Sequence, residues 1–311
     1  MSNWVRQKIS LKYRLGEFVF FKARFSALVD KVHFTKMPAD AIDPPGLAAL
    51  LSDVDVLFVP SLPAASPLPR LSLIAGAIRY VTLQYDHYYV KVEGTFADYL
   101  KKFSSKTRAT LNRKVRKFAE FSGGQIEWRS YRGAEDMAEF RRLARVVSEK
   151  TYQERLFSAG LPASEEYFEQ MKRLAAENRV RAYVLFHKTE PIAYLYCPVE
   201  DGVLFYDFVG HDPAFSEWSP GTVLQYLVLE KLFEEGADAM FDFTEGAGPH
   251  KALFATDQMP CADVYYFKRN ARNYLLVGFH AFLASLSRGI TKTTEILGVK
   301  RWLKKLIRSK A

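Results

Sequence analysis

The stretch HDPAFSEWSPGTVLQYLVLEKLFEEGADAMFDFTEGAGPHKALFA, residues 211–255, decides how the chain is read. Its centre, residues 222–235, is an apolar helical pattern that Gly236 stops. Ser219-Pro220-Gly221-Thr222 open that helix. Pro220 withholds an N–H that a helix start does not need, and Gly221 permits a close approach to the backbone. The free N–H groups and positive dipole end of such a start suit a pyrophosphate, and they describe a plain cap after a loop equally well. Beyond the helix, residues 239–243 read as a strand. At its end, residues 242–251 (DFTEGAGPHK) gather Asp242, Glu245, His250 and Lys251 beside two glycines. Strand ends are where ligands dock in open α/β sheets, although a solvated turn capped by Asp242 fits the same residues.

Working outward, residues 125–131 (QIEWRSY) alternate as a strand. Residues 134–150 form a helix with Met137, Phe140, Ala144 and Val147 on one face. Ser164 caps a second helix to residue 178, with Glu165 and Glu166 in its first turn. Three strands follow at 181–187, 192–199 and 203–209, joined by tight turns, then the helix and strand already described. A short helix follows Pro249, and a last strand spans 262–268. Upstream, residues 95–118 read as one long helix with a basic face that includes Lys101, Lys106, Arg113, Lys114 and Lys117; a solvated face explains it better than a phosphate contact. Short strands are expected at 17–23 and 54–60, a helix at 47–51, a Pro-rich loop at 61–70 and a strand or hairpin at 80–92. The pattern predicts an α+β protein.

This order of elements resembles the GNAT fold, with its central mixed sheet. Asp212-Pro213, Ser219-Pro220-Gly221, the apolar helix, Asp242-Phe243, Gly246 and Lys251 resemble the pattern of the CelD/BioF-like branch, and residues 96–116 fit that branch too. The resemblance covers residues 95–268 and implies tandem GNAT-like halves. The expected divisions are 1–122, an acyltransferase domain at 123–268, and a tail at 269–311. It further implies direct acyl transfer from acyl-CoA, a co-substrate and not a permanently bound cofactor, to an amine. Ser219, Gly221, Thr222 and Lys251 would then hold the donor. An amine acceptor arrives protonated, so a base is required, and Glu245 and His250 are the candidates. Glu149 and Tyr152, in the segment between the two acceptor-side helices, and Asp242 would contact the acceptor.

Several chemistries find no support. The two cysteines, Cys197 and Cys261, have neither metal nor redox spacing, no histidine cluster supports a metal, and no G-x-S-x-G elbow supports a serine hydrolase. Residues 1–12 lack the apolar region of a secretory signal, and no run reaches the roughly 18 apolar residues that span a bilayer.

The net charge of +9 is unevenly placed. From Lys268 onward stand 11 Lys and Arg against the single acid Glu295, a balance of +10, which leaves −1 for residues 1–267. A nucleic-acid partner is therefore not expected. In the tail, Val299, Trp302, Leu303, Leu306 and Ile307 share a helical face opposite Lys300, Arg301, Lys304, Lys305 and Arg308, the pattern of an interfacial helix. Residues 274–286 could add a second apolar face. The expectation is a cytoplasmic N-acyltransferase held on an anionic inner membrane surface, with a lipid amine as acceptor, as in bacterial ceramide synthases that acylate a sphingoid base. Exopolysaccharide acetylation, a Fem-like aminoacyl transfer and a non-catalytic scaffold are the alternatives.

Overall fold

The computed structural model describes residues 3–15, 18–38, 43–151, 160–246 and 248–296. Tyr152 and the tail face centred on Trp302 lie outside the described residues, as do the side chains from residue 288 onward.

In chain order the N-terminal elements are β1 (Trp4–Leu15), β2 (Phe18–Asp30), α1 (Leu47–Leu50), β3 (Val56–Pro63), β4 (Leu71–Ile74) and β5 (Ala77–Lys91). Helices α2 (Phe96–Lys101) and α3 (Ser105–Phe121) follow, then β6 (Trp128–Tyr131), α4 (Met137–Ser148) and α5 (Glu165–Ala176). The strands β7 (Val180–His187), β8 (Glu190–Glu200), β9 (Val203–Phe205) and β10 (Phe208–His211) lead through a short 3-10 turn to α6 (Pro220–Glu235). The chain then forms β11 (Met240–Asp242), α7 (Pro249–Phe254), β12 (Asp257–Lys268) and α8 (Ala271–Ile296). The α+β class and mixed sheet expected from the sequence are present.

The chain divides into two compact units, residues 1–86 with 260–311, and residues 87–259. The expected boundaries at 122/123 and 268/269 fall elsewhere for a packing reason. Helices α2 and α3 lie on α6: Phe96 meets Tyr226 edge-on at 5.1 Å, and Tyr99 meets Phe233 at 5.0 Å. They therefore belong with the second unit. Residues 261–267 pair with β3 and so return the chain to the first unit.

In the first unit β1 and β2 form an antiparallel hairpin, β2 pairs parallel with β3, and β3 pairs antiparallel with β12. One face packs Leu11, Tyr13, Phe25, Val29 and Phe267 under Val277 and Leu283 of α8. The other packs Leu57, Val59 and Tyr266 against Leu47 and Leu51. Helix α8 is further held by the Tyr13 hydroxyl, which donates to the Leu276 carbonyl at 3.1 Å, and by a 2.6 Å hydrogen bond between the Tyr80 hydroxyl and His280 Nδ1. The β1 strand was not among the strands expected from the sequence. Its inward residues Ile9, Leu11 and Tyr13 alternate with Arg6, Lys8, Lys12 and Arg14, and such basic residues disfavour strand on propensity alone.

In the second unit, strand period 2 sends alternate residues of β7 into two cores. Val180, Ala182, Val184 and Phe186 pack under α4 and α5, whereas Tyr183 and Leu185 pack under α6 and α3. Helix α6 starts on Pro220 and stops where Gly236 takes the left-handed conformation, φ 58°, and returns its N–H to the Leu232 carbonyl. It buries Val223, Leu224, Val228, Leu229 and Leu232, each worth about 1.5–3 kcal/mol. This burial fixes the position of its N-terminus over the sheet.

Candidate active site

The site is a fork in the sheet. Strand β9 pairs in parallel with β11, Val203 to Phe205 against Met240 to Asp242. The Tyr206 N–H makes the last bond of this ladder, to the Asp242 carbonyl at 2.8 Å. Beyond it the two chains part. β10 stays with β8, while the Phe243 N–H turns to the Tyr88 carbonyl of β5. Among the described residues no ladder bond joins β10 to β11, so one backbone edge of β10 faces the opening. The sequence reads residues 203–209 as a single strand; the structure splits them into β9 and β10 at Tyr206-Asp207.

At one end of the fork stands the start of α6. Ser219 is left-handed, φ 54° and ψ 47°, and its carbonyl accepts the Thr222 and Val223 N–H groups at 3.0 and 3.1 Å. The Gly221 N–H has no acceptor within the helix. A Cβ on Gly221 would stand 3.6 Å from His211 Nδ1, in van der Waals contact, so the start of α6 lies against that ring. Lys114 of α3 donates to Thr222 Oγ1 at 3.3 Å. Burial, and then the charge of Arg113, hold its ammonium below the usual lysine range. Packing of Leu111 and Phe118 into the core beneath α6 brings this cation to the positive end of the helix. The arrangement suits an anion, with N–H groups, a hydroxyl and a lysine converging. Sequence reasoning assigned the basic helix to solvent; for Lys114 the structure shows otherwise.

The other end holds carboxylates. Asp242 is buried, and its Oδ1 accepts from His87 Nε2 at 2.5 Å and from the Thr244 N–H at 2.6 Å. These bonds occupy the carboxylate that the sequence assigned to the acceptor, and they shape the turn instead. Thr244 and Gly246 take positive φ, 59° and 87°. Lys251 donates to the carbonyls of Glu245 at 2.7 Å and Thr244 at 3.3 Å, so it holds the turn. Glu245 and His250 are exposed on this turn and on α7. Burial of part of the ring, then the neighbouring Lys251 charge, hold His250 below its ordinary value, so it is neutral at pH 7.

Asp207, at the point of the fork, was not anticipated from the sequence. It remains open to solvent yet is crowded by protein, and that burial, with the charge of Glu245, raises its pKa to about 6. A lone acid inside the aromatic, otherwise apolar run VLFYDFVG was the available signal. Around it, Tyr167 of α5 packs edge-on against Phe208 at 5.6 Å and Tyr196 at 6.3 Å, making an aromatic wall. Glu149 ends α4, exposed and bonded by Arg145 at 2.9 Å. Next to it Lys150 bonds Asp212 at 2.7 Å and Glu190 at 2.9 Å, tying α4 to the end of β10. The structure thus brings Ser219, Gly221 and Thr222 to one end and Glu245 and His250 to the other, with Asp207 at the point of the fork. Among the described residues no three of His, Cys, Asp or Glu cluster as metal ligands.

Residues 105–252 match the family model described as the acetyltransferase (GNAT) domain. No curated protein matches the chain. Solved structures with a similar fold include the C-terminal domain of an Agrobacterium fabrum protein described as a lysylphosphatidylglycerol synthetase, with a TM-score of 0.51 at 13% identity over 84% of this chain and 85% of that one. FemX is similar at a TM-score of 0.50 and 11% identity, over 88% of this chain and 90% of that one. Residues 105–252 therefore carry a GNAT acetyltransferase domain, and the protein is a transferase enzyme.

Proposed function

We propose that the enzyme transfers an acyl group from a CoA thioester to an amine. The fork carries this reading, because it joins an anion site to an unpaired strand edge that ends at a carboxylate. The start of α6, with Gly221, Thr222 and Lys114, takes the donor's pyrophosphate. The extended pantetheine arm follows the free edge of β10, whose peptide groups can bond its amides. Its thioester then lies near Asp207. The acceptor nitrogen, freed of its first proton, attacks the thioester carbonyl; the C–N bond forms, the C–S bond breaks, and the leaving thiolate takes up, through solvent, the second proton that the new amide nitrogen sheds. Asp207, ionised above about pH 6, takes the amine proton, with neutral His250 as the second acceptor.

For the acceptor we propose a lipid amine, of which a sphingoid base is the member that the CelD/BioF-like pattern suggests. The aromatic wall of Tyr167, Tyr196 and Phe208 supports it, as does the basic, membrane-seeking composition of residues 268–311, on which we place the reaction at the inner face of the membrane. A second reading, aminoacyl transfer to a lipid headgroup, rests on the fold shared with the lysylphosphatidylglycerol synthetase domain across most of the chain. Calorimetry with CoA separates the two. Binding that is lost in Gly221→Glu, in a variant that stays folded, supports the thioester donor. Absence of CoA binding by the parent enzyme overturns it in favour of another activated donor.

A further inference from the structure

Of the thirteen large apolar side chains exposed among the described residues, twelve lie in the first unit; Val146 is the exception. Four of them form a line on α8: Leu275, Phe279, Phe282 and Leu286 are 75, 53, 61 and 42% exposed, spaced four, three and four residues apart. That spacing places all four on one face of the helix. The sheet-facing side, with Asn273, Val277 and Leu283, is buried. The line does not stand alone, since Phe279 stacks at 5.8 Å on Tyr13, and Tyr13 also holds the exposed Phe21 of β2 at 5.1 Å. Contiguous exposed apolar side chains rimmed by polar residues mark interaction surfaces.

Charge identifies what covers it. The first unit carries 21 Lys and Arg against 9 Asp and Glu, a balance of +12, whereas the second carries 23 against 26, a balance of −3. Between Asp263 and Glu295 there is no acidic residue at all. The same four-three spacing could seat a second copy of the helix, but two copies would set +12 against +12 with no acids flanking the seam to offset it. A surface bearing many negative charges over an apolar interior satisfies both features at once. No described helix is long and apolar enough to cross a membrane, so α8 would lie along the surface.

We propose that the exposed face of α8, with Phe21 beside it, is the surface by which this protein docks on an anionic phospholipid bilayer. The leaflet takes the four side chains into its headgroup–acyl boundary, and the basic residues of the unit meet its phosphates. This deepens the membrane placement given above and rests on it, but it assigns the apolar contact to α8 and not to the tail alone. It does not depend on the transfer chemistry.

The test is co-sedimentation of the full-length protein with vesicles of phosphatidylglycerol and phosphatidylcholine, and with vesicles of phosphatidylcholine only. The combined substitution Leu275→Ser, Phe279→Ser, Phe282→Ser should lower binding to the anionic vesicles roughly tenfold or more. The combination Leu275→Met, Phe279→Leu, Phe282→Leu should keep it, and Leu275→Ser alone, at the most exposed position, should lower it without disturbing the fold. CoA affinity should be unchanged in all of them, because α8 lies outside residues 105–252; a failure here is thereby distinguished from a failure of the donor assignment. Undiminished vesicle binding by the serine variants would overturn the proposal and leave attachment to residues 288–311. Loss of a concentration-dependent self-association, with vesicle binding intact, would overturn it in favour of a second copy of the chain.

Discussion

At the residue scale, Asp207 is where the reading is most exposed to test. A base must be ionised to accept a proton, so a pKa near 6 predicts that activity falls as pH drops through about 6. Asp207→Asn should lose roughly 10²–10⁴-fold in kcat and lose this acid limb, while CoA binding survives. The like charge of Glu245 is one cause of the raised value, so Glu245→Ala should move the acid limb to lower pH, a shift that a merely structural role for Glu245 would not produce. Stability should change in the opposite sense to activity. A carboxyl whose folded pKa is raised contributes stability below its unfolded value and loses it as pH rises through the folded one, so Asp207→Asn should raise the unfolding midpoint at pH 8, with a gain that shrinks on acidification. Thermal unfolding across pH measures this. His87 is a different case. Removing it in His87→Ala takes the 2.5 Å partner from the buried Asp242 and should cost about 1–3 kcal/mol, measured by denaturant unfolding, with the turn at residues 244–246 the first part to suffer.

At the element scale, the donor end depends on two helices that are distant in sequence. Lys114→Ala should weaken CoA binding several-fold and make it less dependent on salt, because one cation near the pyrophosphate is gone; Lys117→Ala, whose ammonium lies 4.4 Å over the Trp218 ring and is paired to Glu217, should change CoA affinity little. Titration calorimetry at two ionic strengths is the measurement. The start of α6 was legible beforehand, since Pro220, Gly221 and the apolar period are local signals. The contribution of Lys114 was not, because a basic residue on an amphipathic helix reads as solvated until the packing of Leu111 and Phe118 shows which helix it meets. The long helix expected over 95–118 also breaks: Ser104 accepts the Thr107 N–H and starts α3 anew after α2, a cap that the run KKFSSKTR contains but its apolar spacing hides. The fork itself was illegible for a stronger reason. Where the chain parts from β11 is decided by partners distant in sequence, β11 after β9 and β8 before β10, and the alternation of residues 203–209 is the same on both sides of the split.

At the scale of the whole molecule, the α+β class and the order of elements from residue 125 to 268 could be read from periodicity and turns alone. The division into units could not, because it rests on β12 returning to β3 and on α8 covering Tyr13 and Phe25. That return fixes an order of events during synthesis. Residues 1–86 leave the ribosome first, but their unit lacks β12 and α8 until residues 260–296 are made, after the 173 residues of the second unit. At 5–20 residues per second this wait is about 9–35 s. The second unit has all its strands by then, while the earlier-made β1, β2 and β3, with Phe20 and Phe21 exposed and β3 still lacking its β12 neighbour, present an open sheet edge of the kind that invites aggregation. The nascent polypeptide thus finishes its middle before its beginning.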